Sequence, residues 1–296
     1  MKAIYKILLI LSLAFYQAGF SQCWFSELRK DFDKNPKEFK EFMGTDPDAM
    51  YAYEQLYKAG REGLRQNTKA LQAYSKAIKN AKLKELGFTD DLLAKVSGYN
   101  PAAYDEVLTD LDKLGNTLQK NSTKLENFDA TISILTGGNA NYRQGVHWII
   151  QDIGQETAFA NKTLTMELAV ENARETFSFI DVVCKNCSKV GTDLLIEYKS
   201  GPGSITSSTI KKQFIERDLF KANSLDEIQW RMKNTSLTKD KLVDWLTENR
   251  SDIEKLGVEK VKKFFPQQAV QINESNCVDF FINKFKQDNI YDKIFK

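Results

Sequence analysis

From residue 23 to about 137, apolar residues recur at three- and four-residue spacing and are interrupted by acidic-proline or glycine signals. This pattern predicts a series of short amphipathic helices. Asp46-Pro47 opens one over 49–58, Thr89-Asp90-Asp91 one over 92–96, and Asn100-Pro101 one over 102–114. The stretch 67–86 carries Leu71, Tyr74, Ile78 and Leu83 on a helical stripe, a packing face by default. The texture changes at Gly137-Gly138. A helix-like run over 141–153 leads into three apolar or alternating segments, 164–171, 176–184 and 193–199, which predict strands. Gly201-Pro202-Gly203 ends the third, Ser207-Ser208-Thr209 caps a helix over 210–222, and further helices are expected at 239–249, 251–265 and 279–285. The fold class is therefore mixed α and β, with a helical region over 22–137 and an α/β core with C-terminal helices over 138–296. No internal repeat is sustained.

The first 21 residues stand apart. Lys2 and Lys6 precede an almost wholly apolar stretch over 7–15, and small residues Gly19 and Ser21 precede Gln22, which reads as a secretory signal peptide cleaved after Ser21. The apolar core is short for an uncleaved membrane anchor, and Phe20-Ser21-Gln22 before Cys23 suits lipid attachment poorly. The expected location is secreted or periplasmic, with no stable membrane insertion after cleavage. Losing Lys2 and Lys6 takes the formal charge of +2 to about zero, so overall charge gives no support to nucleic-acid binding. Attraction to phosphates would come from local groups such as Lys211 and Lys212, or from a bound metal.

Cysteines 23, 184, 187 and 277 permit disulfides in an exported protein. Cys184 and Cys187 sit at the tip between two expected strands, where a tip-stabilising disulfide or free thiols are expected. Zinc would need further ligands, and His147 is the only histidine. Beside Trp148 on an apolar helix, His147 reads as a packed core residue. Trp230 and Trp245 read as anchors between helices.

The chemistry-bearing pattern lies on the strands. Glu197 and Lys199 share one strand face while Leu194, Ile196 and Tyr198 take the other. If 177–183 pairs beside 193–199, Asp181 joins them, setting two carboxylates beside an ammonium group. Hard oxygen ligands suit Mg2+ or Mn2+, with Asp181, Glu197 and the backbone carbonyl of Tyr198 as ligands. Lys199 would orient water and offset developing negative charge. Glu167 and Glu171 share a face of the first strand, where one could add a contact, and Gln213 could reach back from the following helix. The bland alternative is a solvated Glu-x-Lys salt bridge; an acid embedded in so apolar a strand argues against it. No serine has a nucleophile-elbow pattern, and neither glycine cluster has phosphate-loop spacing.

Asp181, then Glu197-Tyr198-Lys199, then the helical segment KKQFIERDLFKANSLDEIQW, with Glu167 as a first-strand acid, resembles the PD-(D/E)XK nuclease core of bacterial polymorphic toxins over about residues 139–233. Ile180 stands where that motif has proline. The resemblance implies a restriction-endonuclease-like fold, metal-dependent cleavage of DNA, with RNA as the second candidate, and a cognate immunity protein. It implies a catalytic set of Glu167, Asp181, Glu197 and Lys199, with Gln213 accessory. The rival expectation is a secreted, non-enzymatic interaction protein with a degenerate nuclease-like fold.

Overall fold

The computed structural model describes residues 22–296 apart from 36, 99, 190 and 288; the expected signal peptide lies outside the described residues. The chain forms two compact units, one of residues up to 119 together with 131–155, the other of 120–130 together with 156–296. The sequence marks one change, near Gly137. The chain instead crosses between units after 119, 130 and 155, because a short strand at 124–126 pairs with a distant one at 163–165.

The first unit is helical throughout, as the periodicity predicts. Helix α1 (Gln22–Lys34), α2 (Lys37–Thr45), α3 (Ala49–Lys58), α4 (Thr68–Lys79), α5 (Tyr104–Lys120), α6 (Asp129–Gly137) and α7 (Ala140–Gln155) are its longer elements. Most of α6 belongs to this unit, its first two residues to the other. The stripe over 67–86 divides in two at Asn80, whose extended backbone ends α4 while its side chain accepts the amides of Lys82 and Leu83. One residue thus stops one helix and caps the next. Among the described residues no helix is long and apolar enough to cross a membrane.

The second unit is a five-stranded mixed sheet, in the order β1 (Lys124–Glu126), β2 (Thr163–Glu171), β3 (Phe177–Cys184), β4 (Leu194–Ser200) and β5 (Ile228–Lys233). Strands β2, β3 and β4 run antiparallel as a meander, while β1 is parallel to β2 and β5 is parallel to β4. The three expected strands are present within one or two residues of their expected ends. Strands β1 and β5 are additional. The segment 211–230, read from the resemblance as helical, instead holds a π-helix, Ile210–Leu219, then a turn, then the start of β5. Trp230 therefore anchors a strand rather than a helix pair. It is fully buried, with Phe214 edge-on at 6.0 Å and Phe295 at 5.5 Å. The expected helix over 251–265 breaks at Gly257, whose φ of 77° suits a residue without a Cβ.

One large apolar cluster joins the sheet to the π-helix and the C-terminal helices, including Lys239–Glu248 and Cys277–Gln287. Its membership shows a slip in the strands. Leu168 and Val170 enter the cluster or pack on it, whereas Leu164 and Met166 are buried outside it. Between these pairs lies Glu167, with φ of 47°. A strand residue in the left-handed region breaks the two-residue alternation, so even-numbered positions change face across it. On β3, Ile180 and Val183 both enter the cluster, an odd separation that marks a slip beside Asp181 as well. At the other end of β3, Cys184 and Cys187 form a disulfide, while Cys277 is free and buried.

Candidate functional site

Register brings the acids together. In the β2–β3 ladder Met166 faces Val182 and Leu168 faces Ile180, which sets Glu167 opposite Asp181. The β3–β4 ladder covers only 182–184 with 194–196. The next position, Asp181 against Glu197, is where the two strands part. There the carboxylate of Asp181 replaces a ladder carbonyl, accepting the Tyr198 N–H at 2.7 Å through Oδ2. Tyr198 thus enters the site by its amide, where the sequence reading assigns its carbonyl to a metal.

Glu197 is 3% exposed, which excludes the solvated salt bridge. Its Oε1 accepts from Lys199 Nζ and its Oε2 accepts from Arg217 Nη2 at 2.7 Å. Lys199 is largely buried, its ammonium 5.6 Å from the centre of the Trp230 ring, a cation–π contact. Arg217, on the π-helix, is 1% exposed and fills the gap between the parted strands. It donates from Nη1 to the Phe179 carbonyl at 2.5 Å on β3, from Nη2 to Glu197 on β4, and from Nε to Asp218 Oδ1 at 2.6 Å. Asp218 in turn accepts the Trp230 indole N–H at 2.7 Å. The hairpin turn is tied to the same helix, since the Ala173 amide donates to the Glu216 carbonyl and Arg174 donates to the Glu216 carboxylate.

Two cations therefore stand among four carboxylates. Burial, and then the neighbouring Glu197 charge, push the Asp181 carboxyl up to about 8, while Lys199 and the Tyr198 amide oppose the shift. Burial followed by Glu197 also raises Glu167, against the pull of Lys199 and Arg217. Burial raises Asp218 too, against Arg217. The donors are hard oxygens of the kind a divalent cation takes, although among the described residues three ligand atoms come within 4.8 Å of one another only at Glu106, Asp110 and His147. Such a cation would have to share Glu197 with Lys199 and Arg217.

Of the residues expected from the sequence, Glu167, Asp181, Glu197 and Lys199 come together. Glu171 does not. It is exposed at the far end of β2, paired with Phe177. Gln213 lies on the π-helix four residues before Arg217, its Oε1 buried without a hydrogen-bond partner, and makes no hydrogen bond to the cluster. Trp230 is expected from the sequence only as an anchor between helices, and Arg217 and Asp218 are not expected at the site. The signal for them was a run of three charges, Glu216-Arg217-Asp218, enclosed by Phe214, Ile215 and Leu219. On a helix three successive charges cannot all face water when both flanks are apolar.

The helical unit holds a second group. The ligand atoms of Glu106, Asp110 and His147 lie within 4.8 Å of one another, so these three could hold a metal ion, on helices rather than on the strands where the sequence places one. His147 is buried, as expected of a packed residue, with Nε2 2.9 Å from Asp110 Oδ2. Burial acts to raise Asp110, yet hydrogen bonds from His147, Gln151 and Lys113 outweigh it and hold the carboxyl down at about 2. Comparison with protein-family models, with curated proteins and with solved structures finds no match for this chain.

Proposed function

We propose that this protein is a metal-dependent nuclease of the PD-(D/E)XK kind, hydrolysing phosphodiester bonds of DNA or RNA with Mg2+ or Mn2+. The observation that carries the reading is the juxtaposition of Glu167, Asp181 and Glu197 at facing positions of three consecutive strands, with Lys199 two residues on, where β3 and β4 part. Glu167, Asp181 and Glu197 would hold the cation, which would polarise the scissile phosphate. Lys199 would bring its ammonium to the phosphate oxygens and offset charge there. Arg217 is a positioning residue in this reading, fixing Glu197 against β3. The left-handed backbone at Glu167 supports it, since strained residues persist where the surroundings over-determine them and cluster at functional sites. Export through residues 1–21, a toxin role and a cognate immunity protein belong to the same reading.

A second reading has its own observation. Both Glu197 oxygens are already paired, so the cluster would serve as a buried ion-pair network that fixes the splayed strands in a non-enzymatic binding protein.

The test is incubation of the full mature chain with plasmid DNA and with a structured RNA, in Mg2+, in Mn2+ and in chelator, beside Lys199→Ala. The full chain is needed because a fragment over 138–296 lacks β1. Metal-dependent cutting that the substitution lowers at least about a hundredfold supports the nuclease. Uncut DNA and RNA from a folded sample would favour the second reading.

A further inference from the structure

Beyond Asp181, the outer half of the β2–β3 hairpin has one covered and one bare face. Val170 and Ile180 are buried in the apolar cluster. On the other face, Ala169 pairs with Phe179 and Glu171 with Phe177, and all four are exposed. Phe177 is 74% exposed and Phe179 56%, among the most exposed large apolar side chains described. They stand two and four residues from Asp181 on one strand. Exposing two phenylalanines side by side forgoes burial, and here it happens beside the candidate catalytic acids.

We propose that Phe177 and Phe179 form a stacking platform for the bases of an unpaired nucleic-acid strand, so that the substrate is single-stranded or locally unpaired. This rests on the nuclease reading. Two residues of extended chain span about 6.8 Å, twice the roughly 3.4 Å rise per nucleotide, so the two positions are commensurate with bases along a strand. A duplex keeps its base faces inside the stack and cannot use such rings, whereas an open strand presents them. The platform ends two residues from Asp181 on β3, so a strand stacked on it comes close to the acids. Arg174, half exposed at the hairpin turn and paired with Glu216, stands at the outer end of the platform. A second copy of this chain is a poorer occupant. Two phenylalanine side chains offer at most about 500 Å², against the roughly 800 Å² per partner of a stable interface.

The test measures anisotropy of a labelled oligothymidylate of about a dozen nucleotides, and of a duplex of equal length, with the full chain in chelator. Phe177→Ala/Phe179→Ala should weaken single-strand binding about tenfold or more while leaving duplex binding unchanged. Phe177→Tyr/Phe179→Tyr should restore it, and as the rings are exposed both variants should melt like the parent. The proposal is overturned if the parent does not prefer the single strand, if the alanine pair binds it equally well, or if both substrates weaken alike. It is also overturned if sedimentation shows that the alanine pair dissolves a dimer. Because binding is read without a metal, the two ideas separate. Ring-dependent binding without metal-dependent cleavage removes the nuclease and keeps the platform, while cleavage indifferent to the rings does the reverse.

Discussion

Arg217 bridges two strands of the sheet unit, since one guanidinium meets a strand carbonyl, a second strand's carboxylate and its own neighbour Asp218. A forked, always-charged donor suits that task, and a lysine could not make all three contacts. Asp181, on the opposite side of the same gap, carries a measurable consequence. Its folded pKa, about 8, lies above the ordinary carboxylate value, so its bound proton contributes stability that is full below about pH 4 and is lost as pH rises through 8. In chelating buffer, denaturant stability of the native protein should therefore fall between those limits. Asp181→Asn, always neutral, should flatten that part of the curve and be the more stable of the two at pH 9. An unchanged slope in the variant would place the titration elsewhere. At this scale the sequence is uneven. Glu197 and Lys199 were legible because alternation alone sets them on one face. Arg217 was not, because its burial depends on strands that separate, and no local pattern announces a gap.

Among the elements, β2 shows how a strand can be legible and its geometry hidden. Its apolar content predicts a strand over 164–171, and the strand is Thr163–Glu171. Nothing predicts that Glu167 adopts φ of 47°, since glycine or asparagine is the residue that signals such a turn of the backbone. The two contributions of this residue can be separated. Glu167→Ala and Glu167→Gly both remove the carboxylate, but only glycine removes the steric cost of the backbone. The glycine variant should be the more stable by about 1 kcal/mol in urea denaturation, with both equally impaired in any metal-dependent activity. Alanine as stable as glycine would mean that the backbone relaxes there at no cost. Strand β5 was missed for a related reason. Its six residues lie between Glu227 and Asn234, too short and too polar at the margins to stand out, and the sheet supplies the partner that makes them a strand.

At the scale of the molecule, each unit has its own buried polar centre: Asp110 with His147 and Gln151 in the helices, Arg217 with Glu197 and Asp218 around the sheet. Asp110→Ala strips His147 and Gln151 of a shared acceptor and should loosen the packing of α5 on α7. Hydrogen exchange should quicken over 104–120 and 140–155 and stay unchanged over 194–200 and 228–233. Equal acceleration in both would contradict the division. The helical and strand textures of the two units were readable, but not the interleaving, because three residues at 124–126 carry no pattern that a sequence can advertise. That interleaving bears on birth order at the ribosome. Strand β1 leaves the exit tunnel some forty residues before its partner β2, and the outer margin of β5 is closed by Lys296, whose amide and carbonyl bond Trp230 and Met232. The backbone that carries the indole against Asp218 and Lys199 is therefore fully bonded only when residue 296 has been translated, so the acidic cluster is expected to gain its last brace after synthesis has passed that point.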